Sequence, residues 1–278
     1  MRTTKKQKLI RQILLYAGLV LFSLILLVPF IWMFISSLKL DKDILTVPIQ
    51  WLPKNPRWRN YLDIWKKIPL AQYFVNTIKI TVITACVQLF TSSFAAYAFA
   101  KLQFKHRDTL FLAYIATIAV PWQVYMVPQF IMLRSWHLND THFAIILIHS
   151  FTAFGVFLMR QFYMGIPDSL CEAARIDGMT EYGIWAKIML PLSKPALSTL
   201  FIFTFVNTWN DFLGPYIYLT TQVKKTVQVG LRVFLDDYTQ DYGMVMTASV
   251  ITLIPVLIIF LSMQKYFVEG IASTGVKG

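Results

Sequence analysis

A short polar stretch, NTWNDFLGPY, interrupts an apolar segment of the sequence. It contains Asn207, Asn210 and Asp211, whose spacing of three and four residues places them on one face of a helix. Their amides and carboxylate can hydrogen-bond to sugar hydroxyls, while Trp209 and Tyr216 can cover the C–H face of a sugar ring. The same polar groups could instead join two membrane helices. The stretch is therefore a candidate substrate pathway with a structural alternative.

A second candidate follows Pro121, where Trp122 and Gln123 lie within another apolar segment. A proline in a helix frees backbone carbonyls that a pore could use. A purely structural kink accounts for the same residues, and we rank it higher. His142 and His149 are seven residues apart, but without a nearby Cys or carboxylate they make a poor metal site. We therefore predict no metal site.

Motifs for catalysis and nucleotide binding are missing from the sequence. Gly270 and Gly275 have the spacing of a phosphate-binding loop, but the lysine that should follow is displaced by one residue to Lys277. Cys86 and Cys171 cannot build a disulfide framework or a paired metal motif. We therefore expect a chain that is not an enzyme. Any ATP chemistry must come from another chain.

The composition indicates a lipid bilayer as the solvent of this chain. Of its 278 residues, 56% are hydrophobic and 14% are charged, whereas soluble domains are about 25% charged. The net charge of +12 could suggest nucleic acid. The basic residues lie between apolar runs, however, rather than clustering with exposed aromatic side chains. Membrane topology explains them better, and we expect no nucleic-acid partner.

Six apolar runs are long enough to cross a bilayer, which requires about 20 residues. Helices are the natural form, because backbone groups in lipid must be satisfied internally. The predicted spans cover residues 13–35, 75–100, 109–133, 143–163, 196–219 and 242–264. Gly214 and Pro215 are expected to interrupt the fifth helix. The predicted fold is an all-α polytopic membrane protein in which residues 13–278 form a single transmembrane domain.

The distribution of Lys and Arg predicts the orientation. It places residues 1–12 and the C-terminus in the cytoplasm, with the strongest signals before the first span and in the short loop KLQFKHRD. The first outer connection, between spans one and two, is long. It carries three prolines before an aromatic and basic patch.

The connection between spans four and five, residues 168–195, is too polar to insert. Ser169 and Glu172 fit a capping box at the start of a helix, and Gly178 is placed to end that helix in the left-handed conformation. Thr180 or Glu181 can start a second helix, which two prolines, Pro191 and Pro195, are expected to end. The small residues Ala173, Ala174 and Gly178 would let another protein approach closely. An amphipathic helix resting on lipid is the alternative.

The pattern E-A-A-x-x-D-G, followed by I-x-L-P, resembles the EAA loop of ABC-importer permeases. It comprises Glu172, Ala173, Ala174, Asp177, Gly178, Ile188, Leu190 and Pro191. Further stretches resemble the carbohydrate-uptake branch of that family, including AVPWQVYMVPQFIMLRSWHLNDT, FVNTWNDFLGPYIYL and the ending GIASTGVKG. The resemblance is strongest to the maltose-type sugar permeases, in particular their six-span subunit.

The resemblance implies a multi-pass protein of the bacterial cell membrane that forms half of a translocation pore. The other half is a second permease, giving a heterodimer. Two cytoplasmic ATPase subunits bind ATP and Mg, and an extracellular or periplasmic sugar-binding protein delivers substrate. The EAA loop is the coupling helix that docks on an ATPase subunit. Glu172, Ala173 and Gly178 are its docking positions, and Leu190 and Pro191 shape the return into the membrane.

Two other functions remain open at this stage. A proton-coupled carrier could use Asp211 and His149, and it would need no ATPase. An ABC permease could also carry a different solute, such as a polyol or a glycerol phosphodiester.

Overall fold

The structure is a computed structural model that describes the backbone of residues 5–236 and 239–275 and the side chains of residues 7–235 and 241–265. Within these residues the chain is helical, as predicted, apart from a short antiparallel hairpin. In it, β1 (Leu235–Asp236) pairs with β2 (Thr239–Gln240). The last three residues of the GIASTGVKG ending lie outside the described backbone.

Each helix of the described residues can be placed along the chain by its bounds. In order they are α1 (Lys5–Ser37), α2 (Asp41–Ile44), α3 (Asn60–Lys67), α4 (Leu70–Lys101), α5 (Arg107–Ala116), α6 (Trp122–Ser135), α7 (His142–His149), α8 (Ala153–Met164), α9 (Asp168–Ile176), α10 (Glu181–Ile184), α11 (Leu190–Leu192), α12 (Lys194–Trp209), α13 (Leu213–Tyr218), α14 (Val227–Leu231) and α15 (Tyr242–Gly275). Short 3₁₀ turns span Thr117–Ala119, Gln222–Lys224 and Arg232–Phe234, and a π-helical turn spans Trp185–Met189.

The chain divides into two compact units. One comprises Met1–Ile68 with Leu231–Leu253, and the other Pro69–Gly230 with Ile254–Gly278. In the first unit, α1 is apolar on all sides, and its most apolar 18-residue stretch is not buried within this chain. Such a helix requires lipid or another chain around it.

In the second unit, α4 packs most extensively against α8 and α12. Small residues allow α4 and α8 to approach closely, as expected where hydrophobicity cannot drive helices together. A Cβ atom on Gly155 would lie 2.8 Å from the methyl group of Thr152 and would also overlap the side chain of Ser92. Buried aromatic residues, including Tyr97 and Tyr163, fill the core toward the end of α4 at Lys101.

Three helical segments are individually long and apolar enough to cross a membrane: Gln7–Ser37, Leu70–Lys101 and Tyr242–Lys265. Three bent helix pairs raise the number of candidates in the described residues to six if each pair counts as one span. The six-span prediction is compatible with this count.

The third predicted span is bent far more than a proline kink would require. The segments Arg107–Ala119 and Trp122–Ser135 meet at 99°. Val120 is extended, with φ −88° and ψ 110°, as the residue before a proline prefers. Pro121 therefore separates two helices instead of bending one continuous helix.

The fourth and fifth predicted spans are also discontinuous. His142–His149 and Ala153–Met164 meet at 43°. In the fifth span, α12 ends at Trp209 and α13 begins at Leu213. The prediction that Gly214 and Pro215 break this helix is wrong, because both are buried inside α13. Pro215 lies in the first helical turn, where its missing N–H forfeits no hydrogen bond.

Candidate functional site

The first helix of the EAA loop starts differently from the prediction. It begins at Asp168, follows Pro167 and has no side-chain hydrogen bond at its cap. The capping box of Ser169 and Glu172 is therefore wrong. Pro167, with its φ of −57°, directs the chain into the helix. The acidic Asp168 lies in the first turn, where it complements the helix dipole.

The end of the same helix agrees with the prediction. Gly178 has a φ of 78°. The N–H of Met179 donates to Ala174 O at 2.9 Å, and the N–H of Gly178 donates to Arg175 O at 3.0 Å. These two bonds form a Schellman motif. Apart from its chain neighbours, no atom of the described residues lies within 4 Å of a Cβ built on Gly178, so the positive φ, rather than packing, requires glycine there.

The second helix of the loop starts at the predicted residue but ends later. Thr180 Oγ1 accepts a hydrogen bond from Gly183 N at 3.3 Å. The helix continues through the π-helical turn and past Pro191 to Leu192, before an 80° bend into α12. The prediction that Pro191 ends it is wrong. The N–H of Leu190 bonds back to Trp185 O, and this widened turn immediately precedes the proline, which has no N–H to contribute.

An ion pair and a hydrogen bond attach the loop to the end of α4, and a second ion pair lies within the loop. Lys101 Nζ donates to Asp168 Oδ1 at 2.5 Å and to Ile166 O at 2.6 Å, and the Lys101 side chain is 3% exposed. Arg175 Nε donates to Glu181 Oε1 at 2.7 Å, and Tyr97 donates to the other oxygen of Glu181. From its sequence position Lys101 was expected only to help set the orientation, and its pairing with Asp168 was not predicted.

These contacts shift the pKa values of the two carboxyl groups. Hydrogen bonding to Arg175 holds the pKa of Glu181 below its ordinary value. Hydrogen bonding to Lys101 likewise lowers the pKa of Asp168. Both groups are therefore ionised at neutral pH, and both ion pairs persist there.

One exposed side of the loop, at the end of α9 and in the turn that follows it, is here named the coupling surface. It consists of Glu172, Ala173, Ile176, Asp177 and Gly178. Ile176 is 86% exposed, which is unusual for a large apolar side chain. Ile176 is not among the predicted docking residues, although its position next to them is a usable signal.

The other predicted EAA residues have a different environment. Ala174 is 5% exposed and packs into this chain's own core. Ile188 and Leu190 pack against the same core from its edge, and Pro191 is exposed. The surface available to another protein is therefore narrower than the full motif.

The polar stretch in the fifth predicted span lies at a helix break. Asp211 follows the end of α12, and its Oδ2 is 3.0 Å from Nε2 of His149, the last residue of α7. Asp211 Oδ1 also accepts a hydrogen bond from Gly214 N at 3.2 Å. A Cβ on Gly214 would lie 2.5 Å from the carboxylate. The contact between His149 and Asp211 thus connects the helix breaks in the fourth and fifth predicted spans. Gly214 has no side chain and leaves room for the carboxylate.

The remaining candidates around Asp211 divide into exposed and buried side chains. Asn207, Asn210 and Tyr216 are exposed, and Tyr216 stacks on Phe212. Trp209 is 1% exposed and packs among aromatic side chains of the core. Trp209 therefore presents no free face to a ligand in this structure.

The second candidate pathway is mainly structural. Trp122 Nε1 donates to Gln129 Oε1 at 2.9 Å, and the hydroxyl of Tyr218 donates to the same oxygen at 2.9 Å. These hydrogen bonds favour a structural role for Trp122 over direct contact with a substrate. Gln123 is exposed.

Comparison with known proteins identifies the family. The family described as "Binding-protein-dependent transport system inner membrane component" matches residues 4–273. The chain belongs to this family.

The relatives of this family member are transport permeases. The chain is 36% identical over 259 residues to the arabinooligosaccharides transport system permease protein AraQ of Bacillus subtilis (strain 168), covering 92% of each chain. It is 30% identical to the diacetylchitobiose uptake system permease protein NgcG of Streptomyces coelicolor, covering 94% of this chain and 87% of that protein.

A solved structure shares the fold. It belongs to a bacterial ABC transporter involved in the import of the acidic polysaccharide alginate. It matches with a TM-score of 0.80 and 26% identity, covering 96% of this chain and all of that one. The membrane-permease fold and the ABC-permease resemblance are thereby confirmed.

The ion pair of Glu181 predicts a pH dependence of the EAA loop. Because the folded-state pKa is lowered, the pair stabilises the loop above the ordinary glutamate pKa of about 4.3, and this stabilisation is lost as pH falls through the lowered value. Hydrogen exchange, expressed as protection factors for residues 175–182, should show protection falling below about pH 4.

Two variants control this experiment. Glu181→Gln should lower protection at pH 7 and remove the pH-dependent step. Glu172 is exposed, and Glu172→Gln, which leaves the pair of Arg175 and Glu181 intact, should behave like the wild type. Equal protection in all three proteins at every pH would contradict the assigned role of Glu181.

Proposed function

We propose that this chain is a transmembrane permease subunit of an ATP-driven carbohydrate importer of the bacterial cell membrane. It forms half of the translocation pore and pairs with a second permease in a heterodimer. Two cytoplasmic ATPase subunits bind ATP and Mg, and an extracellular or periplasmic sugar-binding protein delivers the substrate. The proposed topology has six spans in one transmembrane domain, residues 13–278, with both termini and the EAA loop in the cytoplasm.

The carbohydrate substrate is supported by the relatives. AraQ, NgcG and the alginate transporter are named for arabinooligosaccharides, diacetylchitobiose and alginate, three chemically different saccharides. The match to each extends over nearly the whole of this chain. The binding protein is supported by the description of the family itself.

The coupling role rests chiefly on the coupling surface. Glu172 and Ala173 are exposed beside the left-handed turn at Gly178. The opposite side of the loop is fixed to α4 through Lys101 and Glu181. A loop that is exposed on one side and anchored on the other can transmit the movement of an ATPase subunit to the membrane helices.

The pair of Asp211 and His149 supports the exposed polar groups at the break as the substrate pathway. Carboxylate and amide groups at a helix break can offer hydrogen bonds to sugar hydroxyls. The same pair gives the alternative of a proton-coupled carrier its strongest support, because the imidazole of His149 and the carboxylate of Asp211 lie 3.0 Å apart. A different solute, such as a polyol or a glycerol phosphodiester, is a further alternative.

The coupling role predicts that the positive φ of residue 178 matters more for coupling than the small size of its side chain. Gly178→Val places a β-branched residue at positive φ, which costs at least roughly 1–2 kcal/mol. It should lower the amount of substrate taken up per ATP hydrolysed, measured in proteoliposomes with the whole transporter. Gly178→Asn should retain most of the coupling, because Asn tolerates this conformation.

Gly18 offers the matched control. A Cβ there also meets nothing within 4 Å, but Gly18 lies inside α1, so Gly18→Val should leave coupling close to that of the wild type. Coupling that is unchanged in Gly178→Val would contradict the proposed role of the turn.

The pathway role predicts that Asp211→Asn lowers ATP-dependent sugar uptake by roughly 10- to 150-fold, since a hydrogen bond to a charged group contributes roughly 1.5–3 kcal/mol. The measurement is uptake into proteoliposomes with and without a protonophore. Asp63→Asn, in the first outer connection, is the control. Unchanged uptake in Asp211→Asn would return Asp211 to a packing role, and wild-type uptake abolished by the protonophore would favour the proton-coupled carrier.

A further inference from the structure

The first outer connection presents an aromatic and basic surface, here named the interfacial patch. Its members are Trp51, Leu52, Lys54, Arg57, Trp58 and Arg59. Trp51, Leu52 and Trp58 are 57%, 73% and 61% exposed. Large apolar side chains with this exposure, grouped within nine residues, mark a contact surface rather than scattered surface positions.

The patch is held in a defined position. Lys39 Nζ donates to Gln50 O and lies 4.2 Å from the ring centroid of Trp32. The backbone N–H of Arg57 donates to Leu38 O at 2.9 Å. Nearby, the side-chain amide of Asn60 donates to Ser37 O at 2.9 Å. These bonds join the connection to the end of α1, so its exposed tryptophans are fixed outward.

The patch continues the apolar surface of α1. The ring of Trp51 meets Trp32 edge to face at 5.4 Å between centroids, and Trp58 meets Phe34 at 6.4 Å. Trp32 and Phe34 lie in the last two turns of α1. This helix is the candidate span whose most apolar 18-residue stretch has no buried residues within the described chain. The two exposed tryptophans therefore lie next to the end of the apolar surface of α1.

The charge of the patch has one sign. Lys54, Arg57 and Arg59 are exposed, and residues 51–59 contain no acidic side chain. Arg59 has a partner in Asp63 at 3.5 Å. The patch thus combines indole rings with excess positive charge.

We propose that the interfacial patch binds the surface of the lipid bilayer and prefers anionic phospholipids. Indole rings favour the level of the lipid headgroups, and each Lys or Arg near an anionic surface strengthens binding about fivefold. The three basic side chains bind lipid phosphates while Trp51, Leu52 and Trp58 enter the headgroup region.

Continuity with α1 favours lipid over a soluble partner. A soluble binding protein that covered Trp51 would also meet the bilayer surface around Trp32. A lipid bilayer can cover Trp51 and Trp32 together, because its headgroup region and its hydrocarbon core are continuous. The contact anchors the first outer connection and is separate from the coupling role of the EAA loop.

The depth of the patch can be measured by spin labelling. The whole transporter carries Trp58→Cys in a Cys86→Ser background, while the buried Cys171 remains. A nitroxide label is attached there, and the transporter is placed in phosphatidylcholine and phosphatidylglycerol liposomes without binding protein. The label should collide more often with oxygen, which concentrates in the bilayer, than with a water-soluble nickel chelate. Val223→Cys, at a residue that is 59% exposed in another predicted outer connection, should show the opposite preference.

Two results of this experiment would overturn the proposal. One is a label at position 58 that is as accessible to the nickel chelate as the label at position 223. The other is a label shielded from both reagents, which indicates cover by protein.

The charge preference has its own test in the same transporter. Replacing Lys54, Arg57 and Arg59 by Gln should reduce the phosphatidylglycerol that co-purifies, relative to phosphatidylcholine, by at least about fivefold. A charge-conserving variant, with Lys54→Arg, Arg57→Lys and Arg59→Lys, should retain the lipid ratio of the wild type. The same lipid ratio in both variants and the wild type would contradict the anionic preference.

Discussion

The buried ammonium group of Lys101 is the contact on which the arrangement of the EAA loop depends. A charge that is 3% exposed is unfavourable unless it is paired, and Asp168 and Ile166 O provide its partners. Glu181 adds a second attachment through Tyr97, while Ile184 and Met189 are buried in the core. The loop is therefore built as a continuation of the packed helices, and a force on its exposed side must reach α4.

Several helices are broken within the predicted membrane spans. These breaks complement the anchored EAA loop. Backbone groups freed at such breaks require partners or a water-filled cavity. The bond between His149 and Asp211 joins two of these breaks, and exposed Asn210 lies beside it. A rigid loop at one end and polar breaks within the spans are the two elements that a transporter requires: a place to receive force and a place to pass polar cargo.

Much of this arrangement follows from local sequence. Apolar runs predicted the helices, and the positive φ of Gly178 and the cap at Thr180 followed from their residue types. The EAA pattern and its neighbouring stretches predicted the family. The burial of Ala174 and Trp209 and the pairing of Lys101 with Asp168 were not predictable. They depend on which helices meet, and a single sequence contains no direct signal for contacts between residues more than 60 positions apart.

The central claim is that the coupling surface docks on an ATPase rather than lying on lipid. A photo-reactive amino acid at Ile176, which is 86% exposed, tests it most directly, because the group reports whatever covers that position. Irradiation of the transporter in native membranes, followed by mass spectrometry of the adduct, is the measurement. The account predicts a cross-link to a P-loop ATPase subunit, and cross-links to phospholipid alone would contradict it.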